Sequence, residues 1–146
     1  MPTEPISDDH HVLRVCKGTN LRPEDRSPGP GAFICNDLDG ISCNWLEYFQ
    51  GDLASRLSQV RAIVAARRTV RSTHVFAMLN VGTARARALE VMSLALSVLK
   101  DPLPPEGGKP EDPSHALIEQ VAEAAREALG GVLASCVCHT ASAKGP

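Results

Sequence analysis

The sequence predicts a single α+β (or α/β) domain with about four strands and two or three helices around an aliphatic core. The length of 146 residues suits one domain and is too short for two full ones. Apolar residues make up 43% of the chain and charged residues 22%, as in an ordinary globular protein. Aromatic residues make up only 3%, so the core has to be built from Leu, Val, Ile and Ala.

The first part of the chain predicts an arm and two strands. Residues 1–10 are polar and predict a flexible arm. Residues 11–17 (HVLRVCK) alternate as a strand does, which places His11 and Arg14 on opposite faces. The short apolar run at 31–36 then predicts a return strand, followed by a turn at the Asp-Leu-Asp-Gly sequence.

The middle of the chain predicts a helix followed by a strand–helix–strand unit. Apolar residues recur at helical spacing over 52–68, and Asp52 is a suitable N-cap. Residues 73–82 (THVFAMLNVG) predict a strand. A short helix and a strand over 91–99 follow, or alternatively one helix through 84–99. If the strand alternative holds, the unit is right-handed and favours a parallel pair of strands.

The last third begins with a proline-rich segment. Residues 101–113 contain five prolines and predict an internal linker without regular structure. Ser114 can cap a final helix over 115–136. The ordered domain is therefore expected to span 11–138, and 139–146 to form a frayed tail.

The central part of the chain is rich in arginine. Seven arginines and no acidic residue or lysine lie between Arg56 and Arg87. Arginine suits bidentate contacts to phosphate and carboxylate, so an anionic partner is one interpretation. A solvated face balanced by the acidic flanks is the other. The candidate anion-binding residues are Arg14, Arg67, Arg68 and Arg71.

Three of the five aromatic residues lie within five positions, beside polar side chains. Such a segment fills a core corner or lines a pocket or a protein interface, because buried Trp and Tyr need hydrogen-bond partners. The candidate pocket or interface residues are Ser42, Asn44, Trp45 and Tyr48. A patch of Trp45, Tyr48 and Phe49 could also face a protein partner.

Glu47 is the candidate general base, because apolar neighbours can raise the pKa of a carboxyl group. His11 and His115 are the candidate acid–base partners. The alternative for the strand that carries His11 is a half-buried strand with a solvated Arg14, and for His115 it is an ordinary position after a helix cap.

The five cysteines predict reduced thiols, and no metal or cofactor is expected. Their number is odd, and the Cys136-Val137-Cys138-His139 tail lacks the usual spacing of a zinc site. No apolar run reaches the roughly 18 residues of a membrane span, and the N-terminus has no signal-peptide pattern. A cytoplasmic protein without membrane contact is therefore expected.

Several segments carry a family resemblance. DDHHVLRVCK, GAF, S-x-NWLEYF, FAMLNVG and DPSHA occur in that order between residue 7 and about residue 120. With these landmarks the sequence resembles a family of small bacterial proteins that has no established activity, and NWLEYF is the most specific of them. The resemblance implies a bacterial single-domain protein. It places the following residues in recurring segments: His11, Arg14, Ser42, Trp45, Glu47 and His115.

Three functions remain open from the sequence. The first is an accessory or binding protein that contacts nucleic acid or a nucleotide through its arginine-rich centre. The second is a small hydrolase or transferase acting on a nucleotide or nucleic acid, with Glu47 and a histidine as acid and base. The third is a protein-interaction module.

Overall fold

The structure, a computed structural model, describes residues 4–35 and 39–145. The strands are β1 (Glu4–Pro5), β2 (His11–Cys16), β3 (Gly40–Trp45), β4 (Val75–Asn80), β5 (Val98–Lys100), β6 (His115–Glu119) and β7 (His139–Ser142). The helices are α1 (Leu53–Arg67), α2 (Val81–Met92) and α3 (Glu123–Ser135). The mixed helix and sheet content confirms the α+β class. The predicted number of about four strands is too low, because the described residues form a seven-stranded sheet.

The strand order across the sheet is β1-β5-β6-β3-β2-β4-β7, and all neighbouring strands are antiparallel. Because direction alternates between neighbours, β4 and β5 point the same way. They are not neighbours, since β6, β3 and β2 lie between them. The prediction of a parallel pair from the strand–helix–strand unit was therefore wrong.

The two faces of the sheet carry separate apolar clusters. Val12 and Ile118 belong to the cluster that includes residues of α2 and α3. Leu13 and Phe76 belong to the cluster on the opposite face, with the buried side chains of α1. This second cluster includes no residue of β3, β5 or β6 among those described. Part of the α1 face of the sheet is therefore not covered by the helix.

Helix α1 forms as its sequence pattern predicts. Asp52 has extended backbone angles, and its carboxylate accepts a hydrogen bond from the Ser55 N–H at 2.9 Å, which confirms the N-cap. Leu57, Val60 and Val64 are buried at helical spacing. The helix therefore presents one apolar stripe to the sheet.

Both ends of the chain differ from the predicted arm and tail. Within 1–10, β1 pairs with β5 and Ile6 is 3% exposed, while residues 1–3 lie outside the described part. Within 139–146, β7 pairs with β4 and Ala143 is buried. Polar composition predicted loose ends, but backbone pairing at a sheet edge does not require an apolar strand.

Two predictions were made for the segment between β2 and α1, a return strand and a turn. The strand is corrected, and the turn lies partly outside the described residues. Residues 30–33 form a 3₁₀ turn in place of a return strand over 31–36, and Ala32 and Phe33 are buried there. Of the predicted turn at 37–40, the first two residues lie outside the described ranges. Gly40 has a φ of +127°, and a Cβ there would meet the Ile118 carbonyl oxygen at 2.1 Å. Glycine is required at this strand start.

Neither alternative for residues 84–99 was right. Helix α2 ends at Met92, because Ser93 adopts a left-handed conformation with a φ of 54°. Its N–H bonds back to the last turn of the helix. The only regular strand in the remaining segment is the three-residue β5.

The predicted final helix over 115–136 is a strand followed by a helix. His115 to Glu119 form β6, and α3 begins at Glu123. Ser114 therefore does not cap a helix. A strand buried on both faces lacks polar alternation, so its apolar run resembles a helical one.

The proline-rich segment at 101–113 has no regular structure but is not an extended linker. Isolated bridges join Leu103 to Asp112 and Glu106 to Lys109, so the segment folds back on itself. Asp112 is only 3% exposed. In the part of the chain that is described, no helix combines the length and the hydropathy needed to cross a membrane.

Candidate functional site

A cavity of about 200 Å³, named here the α1 cavity, lies on the α1 face of the sheet. Val64, Arg67 and Arg68 contribute a wall from the end of α1, and Leu103 and Asp112 contribute from the proline-rich segment. The strands contribute Leu13, Val15, Ser42, Asn44 and His115. The cavity thus lies at the border of the apolar cluster under α1, between Leu13 and Val64 of that cluster and the uncovered strands β3 and β6.

A buried polar network borders the α1 cavity. Asn44 Nδ2 donates to Asp112 Oδ2 and to Ser114 Oγ, both at 2.9 Å. The Ser114 N–H and hydroxyl donate to Asp112 Oδ1 at 3.0 and 2.7 Å. All three residues are buried, so these bonds satisfy groups that cannot reach water. The network ties the proline-rich segment to β3.

Two of the predicted anion-binding residues line the α1 cavity. Arg67 Nη1 donates to the carbonyl oxygen of Pro110. The Arg68 side chain has no hydrogen bond or ion pair with any residue that the structure describes. Burial lowers the pKa of its guanidinium, with Arg14 adding a smaller effect. Arg68 is exposed, so it is a cation at the cavity without a counter-ion among the described residues.

Arg14 is separated from the other predicted anion-binding residues. As the alternation predicts, Arg14 lies on the face of β2 opposite to Leu13 and Val15, which line the cavity. Its guanidinium donates to the carbonyl oxygens of Ala32 and Ser42 at 3.1 and 3.0 Å. These bonds hold the 3₁₀ turn at residues 30–33 against β3. The geometry gives Arg14 a structural role, and it does not join Arg67 and Arg68 at the α1 cavity.

His11 and Glu47 contact each other. His11 Nδ1 lies 2.6 Å from Glu47 Oε2, and the His11 backbone N–H donates to Oε1 at 2.7 Å. The side chains are 31% and 15% exposed. Both carboxylate oxygens thus hold one histidine, which fixes the orientation of its ring.

His115 is not part of that pair. Its Nδ1 lies 3.1 Å from Asp101 Oδ2 and 3.0 Å from the Asp101 carbonyl oxygen. His115 lines the α1 cavity, whereas His11 and Glu47 do not. The structure therefore separates the three candidate acid–base residues into two histidine–carboxylate pairs.

The aromatic segment does not form one exposed patch. Phe49 is 7% exposed and packs under α1, whereas Tyr48 is 42% exposed. Trp45 donates from its indole N–H to His10 Nδ1 at 3.1 Å and lies under the Lys100 ammonium group. The predicted three-residue interface is thus divided between the core and the surface.

The arginine-rich block is also divided by the fold. Arg85 and Arg87 lie on α2 and form ion pairs with Asp8 and Glu90. The other five lie on or just after α1, on the opposite side of the sheet: Arg56, Arg61, Arg67, Arg68 and Arg71. The block is therefore not a single surface.

Two basic grooves flank the chain segment that follows α1. One, the Lys144 groove, has a volume of about 460 Å³ and the basic lining residues Arg61, Arg67, Arg68, Lys109 and Lys144. The other, the His74 groove, has a volume of about 400 Å³ and is lined by the cations Lys17, Arg26 and Arg71, with His74 beside them. Neither groove is lined by a described Asp or Glu. The two grooves therefore form a surface with several positive charges and no described carboxylate among its lining residues.

The cysteines are free thiols, and two are deeply buried. Burial raises the pKa of Cys16 to about 11 and that of Cys43 to about 12. In the tail at residues 136–139, Cys136 is buried and Cys138 donates through its thiol to the Met78 carbonyl oxygen. Within the described ranges, no three His, Cys, Asp or Glu residues cluster as metal ligands.

Several residues of this region were not singled out by the sequence. Asp101 and Asp112 lie in the proline-rich segment, which was predicted to be a linker, and Ser114 was assigned to a helix cap. Lys109 and Lys144 are isolated lysines in polar stretches. The Asp-Pro-Ser-His sequence is the one local signal that could have indicated the buried network.

Comparisons of the chain with protein-family models, with curated proteins and with solved structures found no match. The family resemblance of the sequence stays a prediction. The geometry of the chain's own residues is what supports a function.

Proposed function

We propose that this protein binds nucleic acid through the basic surface formed by the Lys144 groove and the His74 groove. One observation carries the proposal: both grooves are lined by several cations and by no described Asp or Glu. The segment from Arg67 to His74 runs from one groove to the other. A chain with a net charge of −2 that concentrates its positive charge there favours an anionic partner at that surface.

The lining residues favour contacts to phosphates over contacts to bases. Neither groove is lined by Phe, Trp or Tyr, and the five such residues all lie elsewhere in the structure. Single-stranded binding usually needs aromatic rings on which bases stack. Binding is therefore expected to depend on phosphate charge and to vary little with base sequence.

The test is fluorescence anisotropy with a labelled duplex at several salt concentrations. We expect the triple variant Arg67→Gln, Arg68→Gln, Arg71→Gln to bind more weakly. The slope of log affinity against log salt should fall by up to about 0.9 for each phosphate that the variant no longer neutralises. The matched control is Arg85→Gln, Arg87→Gln on α2, which removes two arginines from the opposite side and should leave binding unchanged. Equal weakening in both variants, or no binding by the wild type at low salt, would contradict the proposal.

A second candidate function is acid–base catalysis on a nucleotide by the His11–Glu47 pair. The contact of 2.6 Å between His11 Nδ1 and Glu47 Oε2 favours it, because a carboxylate that orients one ring nitrogen leaves the other to exchange a proton with substrate.

The test of this second function is phosphate release from a nucleoside triphosphate. We expect Glu47→Gln to reduce release while the melting temperature stays within a few degrees of wild type. The exposed Glu119→Gln is the control. Absence of release by wild type, or equal release by Glu47→Gln, would remove this candidate.

A further inference from the structure

The α1 cavity has the size of a small-molecule site. Its volume is about 200 Å³. A protein cavity of about 150 Å³ holds a benzene molecule, so the α1 cavity has room for a ring with one small substituent. It is too small for a whole nucleotide, whose base, sugar and phosphate need several times that volume. Its ligand is therefore of a different class from the partner proposed for the two grooves.

The walls of the cavity are apolar on some sides and polar on others. Leu13, Val15, Val64 and Leu103 supply aliphatic surface. Ser42 and Asn44 supply polar groups from β3. Such a lining suits a ligand with a compact apolar body and one polar end.

The charges that line the cavity favour a monoanion. Arg67 and Arg68 contribute two positive charges, and Asp112 contributes one negative charge. Apart from the His115–Asp101 pair, the lining carries a net charge of +1, which one carboxylate would balance. A dianionic phosphate would leave excess negative charge beside the buried Asp112.

Arg68 is the residue placed to hold that charge. Its guanidinium lines the cavity and has no carboxylate or hydrogen-bond partner among the described residues. Arg67 already donates one hydrogen bond to Pro110. His115 Nδ1 is held by Asp101. A neutral imidazole that donates from Nδ1 has an unprotonated Nε2, so His115 is not counted as a donor to the ligand. A guanidinium with free N–H groups at a cavity is a recognised way to bind a carboxylate.

We propose that the α1 cavity binds a small organic monocarboxylate, with its carboxylate on Arg68 and its apolar body against the aliphatic wall. This site is distinct from the nucleic-acid surface, although Arg67 and Arg68 border both. Arg71 lines the His74 groove and not the α1 cavity. An Arg71 variant therefore separates a failure of one proposal from a failure of the other.

The test is titration of the full chain with benzoate, followed by NMR of backbone amides and by calorimetry. We expect saturable binding with shifts centred on Ser42, Asn44 and His115, and weak or no binding of the neutral benzamide. Arg68→Gln should weaken benzoate binding by roughly tenfold or more, because it removes the charge-assisted hydrogen bond. Arg71→Gln should leave it unchanged while weakening duplex binding.

A second variant keeps the test independent of Arg68. Ser42 is exposed at the cavity, so Ser42→Leu should fill part of the space without disturbing the core, and benzoate binding should disappear while duplex binding persists. Equal binding of benzamide, tighter binding of phenyl phosphate, or no saturable binding of benzoate would overturn the monocarboxylate assignment. So would wild-type affinity for benzoate in both Arg68→Gln and Ser42→Leu.

Discussion

Asp112 is a buried residue that helps to hold residues 101–113 in place beside the α1 cavity. Its carboxylate accepts hydrogen bonds from the Asn44 side chain and from the N–H and hydroxyl of Ser114. Three donors around a buried carboxylate stabilise the charged group in place of water. The bonds also connect parts of the chain that are 68 residues apart. The Asp112 side chain therefore helps to hold residues 101–113 over the sheet, together with the Arg67–Pro110 and His115–Asp101 contacts.

Asp112→Ala should lower the free energy of unfolding by about 1–3 kcal/mol, because Asn44 and Ser114 would lose their buried acceptor. The measurement is urea unfolding followed by circular dichroism. Glu111→Ala, the exposed neighbour, is the matched control and should change stability little. Equal effects of the two variants would show that the network contributes nothing to stability.

His74 provides a prediction about pH. Burial lowers its pKa, and nearby Arg68, Arg71 and Lys17 lower it further. Its Nδ1 also accepts the Arg71 N–H at 3.3 Å, which requires that nitrogen to be unprotonated. The unfolded chain protonates this histidine at its ordinary pKa of about 6.5, whereas the folded chain does so only at lower pH. Unfolding therefore takes up a proton in this window, and stability falls as the pH falls below about 6.5.

We expect wild type to lose more stability than His74→Asn as the pH decreases through that window, because asparagine does not titrate. Urea unfolding at a series of pH values measures the difference. His139→Asn, at an exposed position, should follow the wild-type profile. Parallel profiles for wild type and His74→Asn would contradict the assignment.

At the scale of the elements, α3 contains two adjacent glycines, and only one of them is in close contact with the rest of the protein. A Cβ at Gly130 would lie 2.8 Å from both Ile34 Cγ1 and the Pro30 carbonyl oxygen. A Cβ at Gly131 would meet nothing within 4 Å. Gly130 thus permits close packing of α3 against the 3₁₀ turn at residues 30–33, whereas Gly131 only weakens the helix.

Gly131→Ala should raise the free energy of unfolding by about 0.5–1 kcal/mol, since alanine is the better helix former and its methyl group meets no neighbour. Gly130→Ala should lower it, because the backbone of Pro30 cannot move away without cost. Thermal and urea unfolding of the two variants give the comparison. A stabilising Gly130→Ala would mean that α3 and the turn are not in close contact.

At the scale of the whole molecule, the two edge strands of the sheet are β1 and β7, the first and last strands of the described chain. β1 and β7 pair with β5 and β4, and Ile6 and Ala143 are buried beside them. Truncation after Cys138 should therefore expose the edge of β4 and destabilise the protein or promote association. Truncation after Lys144, which retains β7, is the control. Unfolding and size-exclusion measurements distinguish the two, and equal stability would show that β7 is dispensable.

The sequence alone determined those elements whose pattern is local. The alternation over 11–17, the strand within 73–82 and the helical stripe over 52–68 with Asp52 as its cap all appear in the structure as β2, β4 and α1. Each depends on side chains within a few residues of one another, which periodicity and capping describe well. The mostly aliphatic composition of the core likewise followed from the scarcity of aromatic residues, although Phe33, Phe49 and Phe76 are also buried in it.

Only the tertiary structure decided which distant residues meet. β6 looked helical because it is buried on both faces, and the two ends of the chain became edge strands through backbone pairing alone. The cavity needs Asn44, Arg68 and Asp112 to come together from three segments. The excess of positive charge between residues 56 and 87 was visible in the sequence. The fold, however, separated Arg85 and Arg87 from the arginines near α1. Contacts of this kind depend on strand order and loop closure, which no local pattern records.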